Sequence, residues 1–269
     1  MGRLFVGRFN LLLLLAASAA AGTSVGLLNV PRADAREPDG PFRNVEPFKL
    51  PLDRAGVWTL HFAYLPPRSL FIDEPGKARR EVWYLLYQVW NTVDISDTPV
   101  TFIPEFELVT KDGELRKFAD APHPSIVKQI RANEDKTGAL NIQTSISISK
   151  TKIPVTKLDS IARAVYGVAV WQDAPDLAPN VNNFSIYISG LSNGLAVSES
   201  DKGAETISRK ALQLDFLCPV DKKQRITAKI TASVKINDNN GLGSEKWIYR
   251  VIPVHNKTAP APEKKDGDK

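Results

Sequence analysis

Residues 190–194 match the pattern G-x-S-x-G, which in hydrolases places a nucleophilic serine, here Ser192, on a sharp turn between a strand and a helix. A strand pattern precedes this turn, but residues 195–205 are polar and acidic and lack a helical period. The only histidine further along the chain is His255, close to the C-terminus. Because glycine and asparagine tolerate the positive φ angles of turns, the sequence favours a simple turn. A serine hydrolase that uses Ser192 is kept as a distant alternative.

Patterns that bind metals or carry acid–base chemistry are weak in this chain. The three histidines are scattered, and no two of them have the spacing of metal ligands. Residues 238–241 partly resemble a calcium-binding loop but lack its alternating carboxylates and its closing glutamate. We therefore predict a hairpin turn there. Asp173 and Asp176 flank Pro175 and could form a carboxylate pair, yet acids in a loop after a strand are usually solvated. The sequence therefore assigns no catalytic, cofactor-binding or metal-binding residue, and we expect a protein that is not an enzyme.

Five aromatic residues are candidates for a platform on which sugar rings stack. Aromatic residues at inward positions of strands usually belong to the core, which favours a structural role for them. An accessory carbohydrate-binding module is therefore the alternative interpretation. The five residues are Trp90, Trp171, Trp247, Tyr64 and Tyr166.

The N-terminus has the order of a secretory signal peptide. Two arginines come first, a run of leucines follows over 11–15, and small residues fill 16–21. Cleavage after Ala21 or after Ala35 would fit the small-x-small rule, whereas residues 9–30 contain no charge and could instead stay as a membrane anchor. The sequence therefore predicts export to the periplasm or the cell exterior, with residues 1–35 as the signal peptide or anchor.

Charge and cysteine content exclude two classes of protein. The formal net charge is +5, but beyond residue 35 there are 32 basic and 29 acidic residues. A positive charge this small is explained by solubility alone. No run of Lys or Arg outside the tail is long enough to follow a phosphate backbone, so we expect no nucleic-acid partner. The single cysteine, Cys218, cannot form an internal disulfide, and its apolar neighbours predict a buried, inert thiol. Stability must therefore come from the core.

The elements that must position any site are organised around residues 81–91. This stretch is too short for a membrane span, and its aromatic and β-branched content predicts a central strand. Both of its faces are apolar, so we expect it to be covered above and below. One face carries Val82, Tyr84, Leu86 and Trp90, and the other carries Trp83, Leu85, Tyr87 and Val89.

Period-two alternation recurs along most of the remaining chain and predicts further strands. The period changes over 122–135, where Ser125 could cap a short helix whose inner face holds Ile126, Val127 and Ile130. An Asp-Gly turn at 111–113 predicts a hairpin in which residues 114–118 pair back. The other predicted strands are 57–65, 69–73, 99–109, 141–149, 163–173, 183–190, 211–217, 225–237 and 247–254.

Together these patterns predict a mainly β protein, an antiparallel immunoglobulin-like β-sandwich with one short helix. We expect the sandwich to span 55–255, either as one unit or as two packed halves, 55–120 and 140–255. Proline-rich residues 36–54 read as an extended linker, and residues 256–269 as a disordered tail. A βαβ enzyme fold would need helices that the sequence lacks.

The strand motifs resemble those of a group of exported planctomycete proteins of unknown function, over about 58–250. The resemblance implies compartment and fold, and carries no functional residue. We therefore expect a non-enzymatic binding or structural module whose partner is a cell-envelope protein or a glycan. The motifs are Pro67-Arg68-x-x-Phe71-Ile72-Asp73-x-Pro75-Gly76, Trp83-Tyr84-x-x-Tyr87-x-Val89-x-Asn91, Gly167-Val168-Ala169-x-Trp171, Phe184-Ser185-Ile186-x-Ile188-x-Gly190-Leu191-Ser192-Asn193-Gly194 and Trp247-Ile248-Tyr249-Arg250.

Overall fold

A computed structural model describes residues 41–252 except 77, 159, 179–180, 182, 200–204 and 218–244. Predictions for the signal segment, for residues 218–241 and for the chain beyond 252 therefore lie outside the described residues. These include Cys218, the strand 225–237, the turn 238–241, His255 and the tail.

The described part of the chain is mainly β, with three helices. The elements in chain order are β1 (Arg43–Val45), β2 (His61–Tyr64), β3 (Arg68–Ile72), β4 (Arg80–Thr92), β5 (Val100–Thr101), β6 (Glu105–Thr110), β7 (Lys117–Ala119), α1 (Pro124–Glu134), β8 (Gln143–Thr144), α2 (Ser145–Ile148), β9 (Lys152–Ile153), β10 (Val155–Thr156), β11 (Val165–Trp171), α3 (Ala174–Leu177), β12 (Asn183–Ser189), β13 (Leu195–Glu199), β14 (Glu205–Leu217) and β15 (Glu245–Val251).

The first sheet has seven strands and is built on β4, the strand predicted to be central. β2 and β3 pair antiparallel with β4 along one side, and the break between them falls at Pro66-Pro67, where proline cannot donate to the ladder. β11 pairs antiparallel along the other side, and short β10 pairs parallel to the end of β4. β1 extends the sheet beyond β2, and β8 lies beyond β11.

The second sheet has six strands in the order β13-β14-β12-β6-β7, with β15 also paired to β14. All of its described pairings are antiparallel. β6 and β7 form the hairpin predicted at the Asp-Gly turn, with Leu108 opposite Phe118. β5 and β9 make a separate two-stranded pair.

Both faces of β4 are covered, as predicted. Trp83, Leu85, Tyr87 and Val89 belong to the large apolar cluster shared with the second sheet. Val82, Tyr84 and Leu86 belong to a second cluster that includes Ile126, Val127 and Ile130 of α1. One cover is therefore a sheet and the other a helix.

The inner face of α1 is the predicted one, but its N-terminus differs. The N-cap residue is His123, Pro124 takes the first helical position, and no side chain caps the helix. Ser125 instead donates from Oγ to Glu74 Oε1 at 2.5 Å, so the proposed cap is wrong.

The prediction of a strand over 141–149 is also wrong. Only Gln143 and Thr144 are extended, and a single helical turn, α2, follows. Thr144 and Ser147 form a reciprocal capping box, in which each side chain accepts a backbone N–H of the other residue. These local hydrogen bonds outweigh the alternating pattern. With α2 and α3, the described chain has three helices rather than one.

The strand pairing bears on two of the predicted boundaries within the chain. Both sheets contain strands from before and after α1, so residues 55–120 and 140–255 do not form separate halves. The expected linker 36–54 contains β1, which pairs with β2 and buries Val45. We refer to residues 43–58 as the strap, because they are fixed to the second sheet at several points. Trp247 Nε1 donates to Glu46 O at 2.9 Å, and Arg43 is ion-paired with Glu245.

Candidate functional site

The outward face of the second sheet forms a groove with a volume of about 780 Å³. Opposite residues of an antiparallel pair share a face, and successive residues of a strand alternate between faces. Because Phe106, Ile186 and Ile188 point into the core, their neighbours Glu105 and Glu107 point outward. This surface, which we call the outer groove, is also lined by Lys117, Ala119, Ser189 and Arg250.

Charged and aromatic groups cross the outer groove in a fixed arrangement. The guanidinium of Arg250 lies over the ring of Tyr187, 4.1 Å from its centroid, and is ion-paired with Glu107. A second ion pair joins Arg209 and Glu105 at 3.0 Å. The lining of the groove therefore offers carboxylates, the Arg250 guanidinium group and the Ser189 hydroxyl to a polar ligand.

Asp120 lines the outer groove next to Ser145 and has an unusual environment. Burial raises the pKa of Asp120 to about 6, although the nearby Ser145 side chain and the hydrogen bond from the Val170 N–H, at 2.6 Å, oppose the shift. Its Oδ2 and the hydroxyl of Tyr87 are both buried without a hydrogen-bond partner. A protonated Asp120 could donate from this otherwise unpartnered oxygen, so the carboxyl is a proton-linked group at the wall of the groove.

Ser192 is a structural residue in its surroundings. Its side chain is 5% exposed, and Oγ donates to Trp58 O at 2.5 Å. The same oxygen accepts from Thr59 Oγ1 at 3.2 Å and from the Gly194 N–H at 3.1 Å. No imidazole is among these partners, and His255 lies outside the described residues. The serine thus joins the 190–194 turn to the strap.

Only one of the turn residues uses a positive φ angle. Gly190 has φ +91°, and a Cβ there would lie 2.0 Å from Ile103 O. Gly194 is needed for space instead, because its Cβ would lie 2.9 Å from the Tyr249 hydroxyl oxygen. Asn193 accepts from the Trp58 N–H at 2.8 Å, so its side chain is used for hydrogen bonding rather than for conformational freedom.

The described histidines and loop acids do not meet in a site. His61 stacks on Trp90 with ring centroids 5.0 Å apart, and His123 precedes α1 on the surface. Asp173 and Asp176 are exposed at the start of α3. In the part of the chain that the structure describes, no group of three or more His, Cys, Asp or Glu side chains could hold a metal ion.

The aromatic residues proposed as a sugar platform do not form one on the surface. Trp90, Trp171, Trp247 and Tyr64 are all at most 7% exposed. Tyr166 is half-buried and packs edge-on against Phe42 at 5.8 Å. Sequence reasoning missed Tyr187, which alternates outward with Ser185 and Ser189 along β12. The alternation of these residues along the strand was the sequence signal that could have placed Tyr187 on the outward face.

Comparison with known proteins gives no relative. No protein-family model matches the chain, and neither a curated protein nor a solved structure is significantly similar to it. Among the described helices, none has the length and apolar character to cross a membrane.

Proposed function

We propose that the protein is an exported, non-enzymatic binding module of the cell envelope, built as an immunoglobulin-like β-sandwich, that holds its partner in the outer groove. Two mainly antiparallel sheets that share one apolar core support the sandwich proposal. The signal-like N-terminus and the resemblance to exported planctomycete proteins support the proposal of export.

The outer groove is the observation that carries the binding proposal. Its volume of about 780 Å³ falls within the range of known ligand pockets, about 300–1,000 Å³. Here the walls hold oriented ion pairs, since Arg250 is fixed between Glu107 and the Tyr187 ring. Groups that are already oriented lose little entropy when a ligand binds, which favours recognition.

Two classes of partner fit this surface. A cell-envelope protein is the first candidate, because charged pairs at a rim give specificity and steering. A glycan is the second candidate, since the carboxylates and the Arg250 guanidinium group of the groove can bind neighbouring sugar hydroxyls.

Affinity electrophoresis tests the glycan candidate. The full chain would be run through gels containing a neutral, an acidic or an amino-sugar polysaccharide. Retardation of the wild-type chain that is lost in Arg250→Ala and Glu107→Ala supports the glycan candidate. Leu115→Ala is the matched control, because Leu115 is 69% exposed on the β6–β7 hairpin and does not line the groove. Absence of retardation in all three gels rejects the glycan candidate.

Site-specific photo-cross-linking in intact cells tests the protein candidate. A photoreactive residue at position 189 should give one adduct of defined mass in the envelope fraction, whereas the same residue at position 115 should give none. Equal adducts at both positions would contradict a partner in the outer groove. N-terminal sequencing of the fractionated protein tests export, with a mature start at Gly22 or Arg36 for release and an intact Met1 in the membrane fraction for anchoring.

A further inference from the structure

Lys210 is a buried lysine on the core side of β14 that the proposed function does not use. Its Nζ lies 2.6 Å from Asp53 Oδ2 of the strap, and the two side chains are 1% and 4% exposed. A second oxygen, Phe48 O, also accepts from Nζ at 2.6 Å. The amine and the carboxyl group are therefore held together at the wall of a cavity of about 280 Å³, from positions 157 residues apart in the chain.

The remaining contacts fix the carboxyl group of Asp53 from its other sides. The Tyr249 hydroxyl donates to Oδ1 at 2.7 Å, and the Leu50 N–H donates to Oδ2 at 3.0 Å. The ring of Trp247 packs 5.6 Å from the Lys210 nitrogen. Gly194 leaves room for the pair, because a Cβ there would lie 3.0 Å from Lys210 Cβ.

We propose that Lys210 and Asp53 condense into an intramolecular isopeptide bond between Nζ and Cγ. One ammonium proton first moves along the short hydrogen bond to Oδ2, which leaves a neutral amine beside a carboxylic acid. The nitrogen lone pair then attacks Cγ, while the Tyr249 hydroxyl stabilises the charge that develops on Oδ1. Oδ2 takes a second proton from the nitrogen and leaves as water. The amide keeps the last N–H, and no oxidant or cofactor is consumed.

Contact between the two groups is what makes this pair reactive. Their side chains are only 1% and 4% exposed, so little bulk water competes for Nζ or Oδ2. Holding the two groups in contact also replaces a collision between separate molecules, which is a large kinetic advantage. Burial raises the pKa of Asp53, but hydrogen bonds from Lys210, Tyr249 and Leu50 outweigh it and leave the pKa below its usual range. The resting state is thus the ion pair, and the reaction proceeds by proton transfer within it.

The chain provides a matched control pair. Lys111 Nζ lies 2.6 Å from Asp215 Oδ1, the same separation, but these side chains are 34% and 20% exposed. The exposed pair stays in contact with solvent, so the proposal requires a cross-link at Lys210 and none at Lys111. The cross-link would join the strap permanently to β14.

Intact mass spectrometry of the full chain tests the proposal, with the N-terminus determined on the same sample. The expected mass is lower by one water than the sequence requires, and a tryptic digest should contain peptide 50–54 joined to the peptide that carries Lys210. Asp53→Ala and Lys210→Met should each restore the full mass, whereas Lys111→Met should keep the loss of water. Tyr249→Phe should lower the cross-linked fraction several-fold after the same incubation.

A folded wild-type chain with the unreduced mass overturns the proposal, whatever the variants do. A loss of water that persists in Asp53→Ala also overturns it, because the modification would then lie elsewhere. Neither result depends on ligand binding in the outer groove, so the two proposals fail separately.

Discussion

The Tyr87 ring occupies the space above Gly167, its partner on the neighbouring strand. A Cβ at Gly167 would lie 2.2 Å from the ring carbon Cζ and 2.3 Å from the hydroxyl oxygen. Gly167 therefore admits a ring from the same sheet.

Gly167→Ala should therefore destabilise the fold by about 2–3 kcal/mol, because Tyr87 is fully buried and cannot move without disturbing its neighbours. Urea unfolding followed by tryptophan fluorescence measures the change. Gly113→Ala is the comparison, since its φ of +68° adds strain without any atom within 4 Å, and we expect a loss of only about 1 kcal/mol there. Equal losses would show that the ring contact does not matter.

Asp120→Asn should stabilise the protein at neutral pH. Burial raises the pKa of the folded-state carboxyl to about 6, above its unfolded value, so the folded state binds the proton more tightly. The carboxyl's contribution is fully present below the unfolded pKa and is lost as pH rises through about 6. Asparagine keeps the acceptor for the Val170 N–H and cannot ionise.

Urea unfolding of both proteins between pH 4 and 8 measures this linkage. The advantage of the asparagine variant should reach about 2–3 kcal/mol above pH 7 and disappear towards pH 4. A difference that does not change with pH would contradict a raised pKa at this position.

Glu134→Ala should release α1 from the first sheet at a cost of about 2–3 kcal/mol. The Glu134 carboxylate is ion-paired with Arg68 and accepts from the Tyr84 hydroxyl at 2.5 Å, and its loss leaves both groups unpartnered in a largely buried site. Chemical denaturation with circular dichroism measures it. Glu105→Ala is the control, because the Glu105 side chain is 65% exposed and its ion pair with Arg209 should contribute about 0.5 kcal/mol or less.

Ser192→Ala should weaken folding by about 1–2 kcal/mol, because Trp58 O and the Gly194 N–H lose their partner in a buried turn. A fluorophosphonate probe should not label the wild-type protein. Ser198→Ala, at an exposed position of β13, should change stability by less than about 0.5 kcal/mol. Stoichiometric labelling that disappears in Ser192→Ala would support a hydrolase and defeat the structural role.

Several parts of the fold could be predicted from the sequence because they depend on neighbours along the chain. The double-sided burial of β4 follows from its two apolar faces, and the inner face of α1 follows from the spacing of Ile126, Val127 and Ile130. The hairpin after β6 follows from its Asp-Gly turn. The alternating pattern wrongly predicted a strand at α2. There, the Thr144 and Ser147 side chains each accept a hydrogen bond from the other residue's backbone N–H and stabilise a helical turn.

The tertiary structure alone decided which distant residues meet. The alternating pattern predicts that Glu107, Tyr187 and Arg250 point away from the core. It does not predict that three strands bring them together on one face. Composition likewise gives no sign that Asp53, in a segment that resembles a linker, meets a buried lysine on β14. Strand periodicity is set by backbone geometry within a few residues, whereas these contacts depend on how sheets pair and pack across the whole domain. The sequence therefore determined the elements and their buried faces, and the packing determined the groove and the lysine–aspartate pair.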